Sequence, residues 1–166
     1  TGSFTSLINP DDHSSITEHT ISMSGTTTGV FHEVAGGAKI TGVYTEGAVT
    51  STAGNVGGII DNATGNITLS NVVNGADIKG TDNVGGVIGN VDGTANITLV
   101  NVLNEGTVTA TAGSAAGLIA DATATTVTAR NVGNAGNVSG TTAAAFFNNI
   151  TTTGSNVENA YNSGNL

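Results

Sequence analysis

The sequence predicts an all-β protein, a right-handed parallel β-solenoid with about 28–30 residues and three short strands per coil. The first reason is an internal repeat, since the blocks 71–100, 101–130 and 131–160 align almost without gaps. The second is a two-residue alternation of apolar and polar side chains, which is the period of a strand. Repeats of this kind bury their apolar faces by stacking on each other, so the coil is the structural unit.

Asparagine recurs twice in each block. Each block opens with an Asn-Val pair and carries a second Asn three residues later. The two columns are Asn71, Asn101, Asn131 and Asn74, Asn104, Asn134. Stacked amides can bond to each other along the axis of a β-stack. We therefore expect both columns to lie at bends and to join successive coils.

Three apolar segments follow each other in a repeat, separated by the turn-forming residues Gly, Asn, Asp and Thr. One set covers residues 76–79, 84–88 and 96–100. In the third segment Ile97 and Leu99 share one face and Thr98 lies on the other. Equivalent positions repeat this pattern at Ile67, Thr68, Leu69 and at Val127, Thr128, Ala129. We predict strands in all three segments, with the apolar face inside.

Composition excludes some partners. The net charge is −9, and Lys39, Lys79 and Arg130 are the only formal cations, too few to neutralise a row of phosphates. We therefore expect no binding to nucleic acid. No apolar run approaches the roughly 18 residues of a membrane span, so we also expect no membrane insertion. The chain starts without Met and has no Cys. We expect a mature product or an excised segment.

The two ends of the sequence differ from its middle. Residues 1–36 contain the only Pro and all three His, and we expect a degenerate first coil or N-terminal cap there. Residues 37–166 are expected to be the regular solenoid, within one domain overall. The last repeat is incomplete. We expect its edge to be covered by a further coil of a longer chain or by another copy of the protein.

Pairs of adjacent apolar residues suggest an interface. Neighbours on a straight strand point to opposite faces, so one member of each pair would face outward. The resulting stripe would consist of Ile59, Val87, Leu118 and Phe146. A contiguous exposed apolar patch marks an interaction surface. A tight bend that turns both neighbours inward is the alternative.

Five sequons offer sites for modification. They lie at Asn62, Asn66, Asn96, Asn137 and Asn149. In a secreted protein of a glycosylating host they would be acceptors for N-linked glycans. In a chain this rich in Asn and Thr they also arise by chance.

No catalytic, metal or cofactor site is predicted. The acidic residues are dispersed, and we interpret Asp61, Asn90 and Asp121 as one column of turn residues. His13, His19 and His32 lack the close spacing typical of metal ligands. The paired glycines precede no Lys-Ser or Lys-Thr, so they do not form a phosphate loop.

The stretch NVGGVIG at residues 83–89, with the Asn-x-Gly-like stretch that follows it, resembles the GLUG repeat. The resemblance covers roughly residues 29–166. GLUG repeats occur in large bacterial surface proteins, including filamentous-haemagglutinin-like adhesins and non-catalytic parts of some immunoglobulin A peptidases. The resemblance implies an extracellular or cell-surface location.

We therefore expect a non-enzymatic structural module that serves as an adhesin stalk or as the subunit of an extracellular filament. Its expected partners are other copies of itself or further coils of a longer chain, with host or surface glycans as a second class. The alternative is a carbohydrate-binding or carbohydrate-active solenoid. That function would require grouped carboxylates beside a basic residue, which the sequence does not show.

Overall fold

The computed structural model describes residues 20–166, which form sixteen strands and no helix. In chain order these are β1 (Thr20–Thr26), β2 (Phe31–Val34), β3 (Ala38–Thr50), β4 (Asn55–Gly57), β5 (Ile60–Thr64), β6 (Ile67–Asn74), β7 (Asp77–Gly80), β8 (Asn83–Gly85), β9 (Ile88–Asp92), β10 (Asn96–Asn104), β11 (Val108–Ala110), β12 (Ser114–Ala116), β13 (Ile119–Asn134), β14 (Val138–Ser139), β15 (Thr142–Ala144) and β16 (Phe147–Asn162). The strands wind into a parallel β-solenoid of about five turns, which confirms the predicted fold class.

One coil consists of β6, β7, β8 and β9, after which β10 returns to lie beside β6. Every strand pairs in parallel with its equivalents in the neighbouring coils, so that β10 lies between β6 and β13. Four strands of three residues each, β4, β8, β12 and β15, form a separate four-stranded sheet, and the remaining strands form a twelve-stranded sheet. Within the described residues, no helix is long and apolar enough to cross a membrane.

The structure has four strands per coil where the sequence predicts three. The difference lies in the segment 84–88, which a bend divides into β8 and β9. At this bend the N–H groups of Val87 and Ile88 both donate to the carbonyl of Leu118, at 3.0 and 2.9 Å. Two consecutive donors on one acceptor are incompatible with a straight strand. The other two segments form β7 and the first part of β10.

The alternation predicted for β10 is confirmed. Ile97 lies in register between Ile67 and Val127, and all three are buried. Thr98 lies on the outer face, half-buried among equivalent threonines. The interior contains a large apolar cluster around Ile97 and a smaller apolar cluster around Ile78. Both clusters are built from columns of equivalent side chains at the coil spacing of about 4.8 Å.

Residues 20–34 stack on the solenoid as a coil. β1 pairs with β3, and β2 pairs with β5 in the register that places Phe31 beside Ile60. Within the described residues, this column runs from Phe31 to Phe147, with isoleucines between them. Aromatic rings therefore lie at both ends of this core column. Residues 1–19, which hold Pro10, His13 and His19, are outside the described part of the chain.

Candidate functional site

A ladder of buried hydrogen bonds runs through the interior. Thr45 Oγ1 donates to Asn74 Oδ1 at 2.6 Å. Asn74 Nδ2 donates to Asn104 Oδ1, Asn104 to Asn134, and Asn134 to Asn162, each at 2.8 Å. The first four of these side chains have no solvent exposure. We call this column the inner ladder.

Each amide of the inner ladder also closes the bend in its own coil. The second N–H of Asn104 Nδ2 donates to the carbonyl of Gly106 at 2.8 Å. The same bond joins Asn74 to Ala76, Asn134 to Gly136 and Asn162 to Gly164. A buried amide without partners would cost about 1–3 kcal/mol for each unsatisfied group. Here one side chain shapes the bend and binds the next coil, as the sequence predicts for this column.

Glycines pack against the inner ladder. A Cβ atom on Gly86 would overlap Oδ1 of Asn104 and the carbonyl oxygen of Gly117. Gly58 lies in the same way against Asn74, and Gly117 against Asn134. The recurring Gly and the recurring Asn therefore form one structural unit, because the amide occupies the space that a side chain would fill. The sequence shows both columns but not their contact.

A second column of asparagine side chains, which we call the outer ladder, lies at the bend three residues before the inner ladder. Asn101 Nδ2 donates to Asn71 Oδ1 at 2.8 Å, and Asn131 Nδ2 donates to Asn101 Oδ1 at 3.0 Å. These residues have φ of 53–55°, in the left-handed region that Asn tolerates better than most residues. Gly42 occupies the equivalent position in the preceding coil, with φ of 66°. This second column also lies at a bend, as predicted.

The predicted apolar interface stripe is wrong. Ile59, Val87 and Leu118 are fully buried, and Phe146 is half-buried. The bend between the two members of each pair turns both side chains toward the core. In the first pair, the backbone N–H groups of Ile59 and Ile60 both donate to the carbonyl of Val87, at 3.0 Å each. The alternative of a tight bend is therefore correct, and neither neighbour faces outward.

The interpretation of Asp61, Asn90 and Asp121 as one column is also wrong. Asp121 does lie over Asn90, but the residue below Asn90 is Asn62, so Asp61 belongs to the neighbouring column. The alignment slips by one residue because the coils differ in length. Asp121 accepts hydrogen bonds from Asn149 at 3.0 Å and from Asn83 at 3.3 Å. Partial burial, together with the negative charge of Asp92, raises the pKa of Asp121.

Asp61 instead contacts the side chain of His32. Its Oδ2 lies 2.9 Å from Nδ1 of His32, and its Oδ1 accepts the backbone N–H groups of Gly29 and Gly57. Among the described residues, no group of three or more His, Asp or Glu side chains could hold a metal ion. His13 and His19 lie outside the described residues.

The sequons differ in exposure. Four of them are exposed, namely Asn66, Asn96, Asn137 and Asn149. Asn62 is half-buried, donates to Glu33 at 3.1 Å and accepts from Asn55 at 2.7 Å. A glycan on Asn62 would therefore disturb an existing network of side chains.

No protein-family model, curated protein or solved structure matches this chain. The GLUG resemblance therefore rests on the sequence motif at residues 83–89 and its copies. The described residues connect successive coils through the two amide ladders and through backbone hydrogen bonds between parallel strands.

Proposed function

We propose that this chain is a non-enzymatic structural module of an extracellular or cell-surface protein, acting as an adhesin stalk or as a filament subunit. The observation that carries the proposal is the inner ladder, in which each buried amide is satisfied by the coils beside it. Such a column favours repetition, because every coil provides the acceptor and the donor that its neighbours need.

The edge of β16 supports contact with another coil. β16 pairs with β13, and no strand pairs with its other edge in the part of the chain that the structure describes. Val157 and Tyr161 on this strand are 43% and 47% exposed, whereas the equivalent positions one coil earlier are buried. An unpaired strand edge is a template for pairing. We propose that it receives a coil of a longer chain or of another copy.

The distribution of charge supports a structural role over carbohydrate chemistry. Asp121 lies between asparagines in its column and feels the charge of Asp92, but the basic side chain of Arg130 pairs with Glu158 at 3.2 Å on a different face. A carbohydrate-active site would require carboxylates and a basic residue in one groove.

Light scattering and electron microscopy test the edge contact. Val157 lies in the inward column above Ala129, whereas Asn156 lies in the outward column above Thr128. We expect wild-type protein to form larger, end-to-end species as its concentration rises. Val157→Lys places a charge in the inward column, where a stacked coil would bury it, and should suppress these species. The matched control Asn156→Lys places its charge on the outward face and should not. A wild-type chain that stays monomeric at high concentration would contradict the filament role.

Surface location is tested separately. Antibodies raised against the folded chain are expected to label intact cells of its source. Labelling that appears only after the cells are lysed would contradict the proposed location.

A further inference from the structure

Asp61 is an unusual residue for the interior of this solenoid. It is only 1% exposed, and the equivalent positions in the next two coils are Gly89 and Ala120. Burying a carboxylate is costly unless hydrogen bonds replace its water. Two backbone N–H groups do so at Oδ1, from Gly29 at 2.9 Å and from Gly57 at 3.0 Å. Since Gly29 and Gly57 belong to successive coils, this one carboxylate holds both.

His32 completes the arrangement from the outside. It lies on β2, whose one partner strand in the described part of the chain is β5, and its side chain is 57% exposed. Its Nδ1 is 2.9 Å from Asp61 Oδ2, and its Nε2 is 3.9 Å from Oε1 of Glu33. These two carboxylates, one on β5 and one beside it on β2, are the charged groups that face the ring among the described residues.

We propose that His32 and Asp61 form a pH-sensitive clasp that fastens residues 29–34 to the rest of the solenoid. The hydrogen bond to Asp61 raises the pKa of His32 above 6.5, against the opposing effect of desolvation. A histidine with a raised folded-state pKa stabilises the fold fully below 6.5. The stabilisation is lost as the pH rises through the folded-state pKa. The coil is therefore held most firmly in weakly acidic solution and loosens as His32 loses its proton.

Opening of the clasp would expose the edge of β5 that β2 now covers. The device therefore controls access to a strand edge at the opposite end of the described solenoid from β16. The clasp does not depend on the proposed function, because it follows from contacts within the fold.

Native-state hydrogen exchange on the whole chain tests the clasp. The probe is the amide of Phe31, which donates to the carbonyl of Ile59 at 2.8 Å, and the reference is the amide of Ile88 in the middle of the stack. Protection factors, corrected for the intrinsic exchange rate, are compared between about pH 5 and about pH 8. We expect protection of Phe31 to fall about threefold or more, relative to Ile88.

Two variants identify the groups responsible. His32→Gln keeps a side-chain donor but cannot titrate, and it should abolish the pH dependence. Glu33→Gln removes the other facing carboxylate and should keep the dependence. The proposal is overturned if wild-type protection does not change with pH, if His32→Gln changes as steeply as wild type, or if Glu33→Gln removes the effect.

Discussion

Truncating Asn104 to Ala is expected to lower the free energy of unfolding by about 4 kcal/mol. Asn104 has no solvent exposure and makes three hydrogen bonds of 2.8 Å, to Asn74, Asn134 and Gly106. Truncation leaves three buried polar groups short of a partner, at about 1–3 kcal/mol each. The Asn74 side chain keeps its hydrogen bond to Ala76. We therefore place the total cost of the three groups in the lower half of the range that these individual costs allow.

Asn101→Gly is the matched control in the same coil. Asn101 is half-buried and makes two ladder bonds, to Asn71 and Asn131. Glycine accepts its φ of 55° without strain, as Gly42 does in an earlier coil. We therefore expect a loss of only about 1 kcal/mol from the control. Asn104→Asp should cost at least as much as Asn104→Ala, because it replaces two donors with a buried charge.

Urea unfolding followed by far-UV circular dichroism measures these differences. The slope of free energy against urea should stay the same in all variants, since the surface exposed on unfolding hardly changes. If Asn104→Ala loses less than about 1 kcal/mol, or no more than Asn101→Gly, the inner ladder does not hold the coils together and the reasoning is refuted.

The remaining predictions concern a buried face and a raised pKa. Ile97→Asp should destabilise by about 4 kcal/mol or more in thermal unfolding, because Ile97 is fully buried, whereas Thr98→Asp on the outer face should cost about 1 kcal/mol or less. Equal losses would mean that the faces are misassigned. Wild-type protein should gain stability relative to Asp121→Asn as the pH falls from neutral toward about 3, because a pKa raised above 3.8 means that the fold disfavours the ionised carboxylate. A difference between the two proteins that does not change with pH would contradict this.

Sequence alone was sufficient for the features that repeat. The strand containing Ile97 and the two asparagine columns were predictable because each depends on a period, either two residues within a strand or one coil along the chain. The outcome at Val87 and Ile88 was not predictable. Whether two apolar neighbours lie on opposite faces or both turn inward depends on one backbone bend, which has no residue pattern of its own.

Features that occur once were also beyond prediction. The contact between His32 and Asp61 joins different coils and occurs once among the described coils, so no repeated motif reveals it. The misplacement of Asp61 has a related cause. Coils of unequal length shift the alignment by one residue, and a shift of one residue moves a side chain to another column.

The inner ladder also affects which changes in the length of the gene the fold can accept. The bond from Asn74 to Asn104 is repeated from Asn104 to Asn134, so a duplicated coil would find a donor on one side and an acceptor on the other. Unequal recombination that adds or removes about thirty codons would therefore alter the length of the rod by about 4.8 Å without requiring a new core. Loss or gain of whole coils is tolerated by this architecture, whereas a one-codon insertion inside a ladder strand is not.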